Sequence, residues 1–150
     1  LIDKFGGHAM AAGLALSPES FEKFSDAFSE AIKKHLEGKK PIIELMTDGK
    51  LEASEITLKN AELLRKASPW GQGFEEPIFY GDFELIEQKI VGEKHLKCTL
   101  KLNGASSIFE GIAFFQGKLE TKQVKVAYKL NVNSFRGNES LQLMIESIEA

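Results

Sequence analysis

The chain has a single cysteine, Cys98, among 150 residues, which excludes an internal disulfide and fits a reducing, cytoplasmic setting. Its three histidines, His8, His35 and His95, are far apart, and the cysteine has no partner at ligand spacing, so no self-contained metal site is expected. No Asp-rich cluster could hold two divalent ions, and no nucleophile elbow favours a Ser–His–Asp triad. No apolar run approaches the ~18 residues of a membrane span, no signal-peptide pattern opens the chain, and no membrane partner is expected. An excess of positive charge is missing too. The formal net charge is −3, which argues against a generic basic nucleic-acid binder. Residues 1–80 carry 10 Lys/Arg against 13 Asp/Glu, and residues 81–150 carry 9 of each, so any DNA contact must come from a local patch. Repeats and low-complexity tracts are absent.

What is present is an ordinary globular composition, 43% hydrophobic with 27% charge, in a length that suits one compact domain or a small domain plus part of another. The chain opens on Leu1, with a dense glycine motif within five residues, and is read as a piece cut from a longer protein. Gly6–Leu16 reads as a glycine loop entering a small-residue strand. Ser17-Pro18 then predicts a helix start, a serine cap with proline at the first helical position. Phe21, Phe24, Phe28, Ala31, Ile32 and Leu36 form one apolar stripe at helical spacing, ending near Gly38. Lys39-Lys40-Pro41 reads as a linker, which gives two domains, residues 1–40 and 41–150.

A short apolar stretch, Ile42–Met46, runs into an Asp48-Gly49 turn. A second helix is predicted over Thr57–Ala67, stopped by Ser68-Pro69. From Pro77 the period changes to two. In His95–Leu102, Leu96, Cys98, Leu100 and Leu102 face one way and His95, Lys97, Thr99 and Lys101 the other. Val124–Val132 alternates likewise, and Leu141, Leu143 and Ile145 mark a last strand. About five strands, with turn signals at Asn103-Gly104, Gln116-Gly117 and Arg136-Gly137-Asn138, predict a small β-barrel preceded by a helix, an α+β chain.

Three groups of residues could carry chemistry. Gly6, Gly7 and His8 suit phosphate: glycines let backbone N–H groups approach an anion, and a histidine can stabilise charge developing on it. An isolated Gly-Gly-His is more often a turn with an incidental histidine. The polar barrel face offers Lys97 and Lys101 on one strand, Lys125 and Lys129 on another, then Phe135 and Arg136, the residue types of a groove that tracks a backbone and stacks bases. The plainer reading is a solvated face whose lysines keep edges from aggregating. Trp70 and Phe74, among glycines, could stack on a base, but such a segment is more often a rigid loop plugging a core.

Taken in order, these segments resemble the RecJ family within the DHH phosphoesterases. Gly6-Gly7-His8-Ala9-Met10-Ala11-Ala12-Gly13 is similar to the glycine-histidine signature of the DHH-associated domain. Pro69-Trp70-Gly71-Gln72-Gly73 with Glu76-Pro77-Ile78-Phe79 resembles the family's proline-aromatic-glycine segment, although Phe74-Glu75 stands where the family commonly has Asn-Pro. Gly92 with His95-Leu96-Lys97, and Asn133-Ser134-Phe135-Arg136-Gly137 before Leu141-Gln142-Leu143, match two parts of its OB-fold domain. The resemblance implies the end of a DHH-associated α/β domain followed by an OB-fold-like barrel. It implies a 5′-to-3′ exonuclease on single-stranded DNA, active in recombination and repair. It also implies two divalent ions, Mn2+ or Mg2+, held by a DHH domain that would precede Leu1, so this piece alone would be inactive. Gly6, Gly7 and His8 would grip the phosphate, with His8 catalytic, and the barrel would guide the strand. Two other readings stand beside it. One is another DHH phosphodiesterase acting on short oligonucleotides. The other is a non-catalytic OB-fold module that docks a protein such as single-stranded-DNA-binding protein.

Overall fold

The computed structural model describes residues 2–39, 44–67, 69–92 and 94–149. The chain divides into two units, Leu1–Glu44 and Leu45–Ala150. The linker and boundary expected around residues 39–41, and the start of the Ile42–Met46 stretch, fall on residues 40–43, outside the described ones.

In the first unit β1 (Lys4–His8) pairs antiparallel with β2 (Ala11–Ala15), Gly6 opposite Gly13 and Gly7 opposite Ala12. The expected glycine loop is therefore a strand, and the turn falls at Ala9-Met10. Small side chains explain the difference, because a Cβ on Gly7 would stand 2.8 Å from that of Ala12. The expected serine cap also differs. Pro18–Ser20 forms a 3₁₀ turn, with the Ser20 amide donating to the Ser17 carbonyl at 2.9 Å and the Ser17 hydroxyl to that of Ser20. Helix α1 (Phe21–Leu36) follows and stops where Glu37 and Gly38 turn left-handed, φ 47° and 78°. None of its residues is buried: Phe24 and Leu36 are half-covered, while Phe21, Phe28 and Ile32 stay exposed.

The second unit carries α2 (Leu58–Ala67), one residue shorter at its start than expected because the Thr57 hydroxyl caps it, accepting from the Asn60 amide at 3.2 Å. Its Ala61 is buried, and the helix packs on the last two strands of the chain. Ser68, the expected stop, lies outside the described residues. Five strands follow: β3 (Phe79–Val91), β4 (His95–Leu102), β5 (Ile108–Ala113), β6 (Gln123–Phe135) and β7 (Asn138–Glu149). They close into a barrel in the order β3-β4-β5-β7-β6, every pair antiparallel except β5–β7. This is the expected OB-fold.

Two register shifts help strands of 12 and 13 residues bend round so small a barrel. Ile86 is the extra residue in β3, and Glu146 the extra one in β7. The predicted alternation builds the core: Leu96, Cys98 and Leu100 face inward from β4, and Val124, Val126, Tyr128 and Leu130 from β6, with Leu102 and Val132 half-covered at the ends of the runs. Each such large side chain contributes roughly 1.5–3 kcal/mol on burial. Phe83 stands edge-on to Tyr128 at 5.7 Å between centroids. The turn expected at Gln116-Gly117 comes two residues earlier, at Phe114-Phe115, with Phe115 left-handed at φ 56°. The loop that follows is clamped by Gln88, whose side chain both donates to the Leu119 carbonyl and accepts from its amide, at 2.8 and 2.9 Å.

Candidate nucleic-acid interface

His8 ends β1, and its Nδ1 accepts the Met10 amide at 3.3 Å, so Nε2 is the nitrogen left to donate. Gly6, Gly7 and His8 line an open cleft of about 440 Å³ with Phe5, Gly13 and Phe24. Its lining is apolar apart from His8.

In the barrel, an OB-fold binds oligonucleotides on its second and third strands and on the loops joining strands one to two and four to five. Those are β4, β5, the turn after Val91 and the β6–β7 hairpin. A groove of about 470 Å³ lies over this face, lined by Glu87, Lys89, Lys97, Thr99 and Glu110. It is not a bare cationic track. Lys97 pairs with Glu110 at 2.8 Å, and Thr99 also donates to Glu110.

The predicted lysines do not form one patch either. Strand β3 separates Lys97 and Lys101 on β4 from Lys125 and Lys129 on β6, and it places Asp82 opposite Lys125 and Glu84 opposite Lys101. Lys125 reaches Glu149 at 3.8 Å, and Lys129 reaches Glu146 at 3.2 Å and Glu76 at 3.7 Å. Asp82 is also bound by Lys50 at 2.7 Å; that hydrogen bond holds its carboxyl below the usual aspartate range and the ammonium above the usual lysine value.

The structure does bring Phe135 and Arg136 together. Arg136 and Gly137 are both left-handed, φ 52° and 84°, the geometry of a two-residue hairpin whose twist matches its strands. The Arg136 guanidinium lies 5.2 Å from the centre of the exposed Phe135 ring. Glu139 anchors this hairpin to α2 through Arg65 at 3.2 Å and also accepts the Ser134 hydroxyl; both bonds, Arg65 foremost, depress its pKa. Trp70 is fixed rather than free: its indole donates to the Leu64 carbonyl at 3.0 Å, and Phe74 stacks on it at 5.0 Å.

One feature of this surface escaped the sequence reading, the exposed pair Phe114 and Phe115 against His95. The signal was there. Two consecutive aromatics at a strand end cannot both face the core, since neighbouring side chains point to opposite faces.

The family model described as RecJ OB domain matches residues 47–147. The chain belongs to the RecJ family. It is 44% identical over 156 residues to the single-stranded-DNA-specific exonuclease RecJ of Salmonella typhimurium, covering 99% of this chain and 26% of that protein. The Escherichia coli RecJ is likewise 44% identical, over 153 residues, covering 97% of this chain and 26% of its own length. The chain thus spans about a quarter of the curated RecJ proteins it matches. Among solved structures it is similar to RecJ from Thermus thermophilus in complex with Mg2+, TM-score 0.66 at 27% identity, covering all of this chain and 23% of that one. The Mn2+ complex of RecJ from the same organism gives 0.61 at 26% identity, covering all of this chain and 22% of that one. Among the described residues of this chain, no three His, Cys, Asp or Glu side chains stand close enough to hold a metal ion. Among the described residues no helix is long and apolar enough to cross a membrane.

Proposed function

We propose that this chain is the C-terminal part of a 5′-to-3′ exonuclease specific for single-stranded DNA, acting in recombination and repair. The observation that carries this reading is similarity to RecJ exonucleases along nearly the whole chain, through both the glycine-histidine hairpin and the barrel. On this reading Mn2+ or Mg2+ is bound by residues outside the chain, and hydrolysis happens there. The chain contributes two things. Gly6, Gly7 and His8 face the attacked phosphate, with outward amides of a two-stranded hairpin and the Nε2 proton of His8 as donors. The barrel guides the strand, with Phe135 and Arg136 as its aromatic and cationic end, Lys101 meeting phosphate, and Lys97, Lys125 and Lys129 exchanging carboxylate partners for phosphates.

A second reading, docking of a protein such as single-stranded-DNA-binding protein, is favoured by one observation: Lys97, Lys125 and Lys129 are already matched by carboxylates.

The test compares the 150-residue chain with the full-length protein on end-labelled oligonucleotides in Mn2+ or Mg2+. The full-length protein should release nucleotides from 5′ ends of single strands and spare duplex, and the chain alone should release none. Digestion from 3′ ends, or chelator-sensitive release by the chain itself, would overturn the assignment.

A further inference from the structure

Phe115 is unfavourable on two counts. It is a bulky residue in left-handed backbone, φ 56°, and its side chain is 77% exposed. Phe114 beside it is 50% exposed. Yet the pair is held firmly. His95, the first residue of β4, meets both rings edge to face at 5.0 and 5.1 Å, and its Nδ1 accepts the Phe115 amide at 3.3 Å. The imidazole thus fixes the turn while both rings stay exposed to water. Retained strain with a rigid, exposed aromatic is the mark of a site built to meet something else.

We propose that Phe115, with Phe114 and His95, is a base-stacking site for single-stranded DNA at the β3–β4 end of the barrel. This inference rests on the function proposed above. Charge selects the occupant. Lys89 and Lys97 stand directly opposite each other on neighbouring strands, and Lys94 lies in the adjoining turn. Lys97 is already met by Glu110 at 2.8 Å, whereas Lys89 makes no ion pair among the described residues, so its ammonium is the one left for an anion. Lys89 and Lys94 beside exposed aromatic rings suit a phosphate backbone with unstacked bases, because every base has a π-face to lay on a ring. His95 Nε2 remains as a donor to a phosphate or a base edge.

The topology adds a length. Because β5 and β7 run parallel, the Phe114-Phe115 turn follows the end of β5 while the Phe135-Arg136 hairpin precedes the start of β7. From Ile145, paired with Ala113, back to Asn138 is roughly 24 Å at ~3.4 Å per residue. Two aromatic landings so separated fit a strand of about 4 nucleotides or more, within the range of one OB-fold.

The experiment uses the 150-residue chain and oligothymidylate carrying a single 5-iodouracil, which cross-links on irradiation to aromatic side chains it stacks on. Mass spectrometry should place a cross-link on Phe115 or Phe114. Phe115→Ala should weaken oligonucleotide binding by about 5- to 100-fold, the usual effect of losing one stacked base, and Phe115→Trp should restore it. Both variants should melt with the parent, since the ring packs little. Unchanged binding by Phe115→Ala, or cross-links confined to Phe135, would overturn this site while leaving the barrel's role in DNA binding standing. No binding of oligonucleotide by the unmodified chain would remove both together.

Discussion

Gly111 on β5 lies opposite Cys98 on β4 so closely that a Cβ built on it would stand 3.0 Å from the cysteine sulfur and 2.9 Å from Cδ1 of Ile145. The walls pack this closely here because one of them carries no side chain. Gly111→Ala should therefore overpack the core and lower stability by about 1–3 kcal/mol, read as a fall of several degrees in Tm. Adding Cys98→Ala removes the sulfur that the new methyl meets, so the double variant should lose less than the sum of the single losses. An unchanged Tm for Gly111→Ala would show that the wall yields more easily than this geometry allows.

Burial raises the Cys98 thiol to about 11, with the Glu110 carboxylate adding to it, and raises the Tyr128 hydroxyl to about 12, with Glu55 adding to it. Both groups hold their protons more tightly in the folded state than in the unfolded one. Their contribution to stability is therefore complete below about pH 8 and is lost as pH rises between about 9 and about 12. Denaturant titrations across that range should show the loss. Tyr128→Phe should reduce it and cost nothing at neutral pH, because the hydroxyl is buried with no hydrogen-bond partner among the described residues. Cys98 should react with thiol reagents only on unfolding; rapid modification of folded protein at about pH 8 would contradict its burial.

If the proposed phosphate role holds, His8→Ala in the full-length protein should lower turnover by about 10²–10³, the scale of losing one transition-state donor. DNA affinity should stay within a few-fold and Tm nearly unchanged, since His8 is exposed and among the described residues bonds only the Met10 amide of its own turn. A structural histidine behaves otherwise, lowering Tm while the folded fraction keeps normal turnover. That result would sink the phosphate role.

Lys129 is held by Glu146 and Glu76. If it meets phosphate, Glu146→Gln should tighten binding of single-stranded DNA, and replacing Lys125 and Lys129 together should weaken it. Binding should also fall with salt at a log–log slope of roughly 2–3, near 0.7 per phosphate contact. Isothermal titrations at several salt concentrations measure both. Equal affinities for all three proteins would exclude β6 from the DNA path.

How much of this was legible in the sequence differs by element. The runs His95–Leu102 and Val124–Val132 announced strands because one face was to be buried, and a period of two admits only one register relative to the core. The helix over residues 58–67 was legible for the same reason at period 3.6, with Ala61 at the centre of the buried stripe. The Gly6–His8 segment was misread as a loop. Glycine reports only conformational freedom, and it took the partner strand, with Ala12 facing Gly7, to decide how that freedom was used.

The sequence by itself determined which side chains would face the barrel core, because alternation is a local property that any sheet must honour. It also determined the family, through short motifs kept in order along the chain. Only the tertiary structure decided the electrostatics of the surface. Lys97, Lys125 and Lys129 look like free cations along the chain, but strand order brings Glu110, Glu149, Glu146 and Glu76 to them from 13 to 53 residues away. The aromatic site at His95 was decided the same way, because β4 and β5 must pair before the imidazole meets Phe114 and Phe115. Charges and rings act through distance in space, and strand pairing across a closed barrel sets that distance.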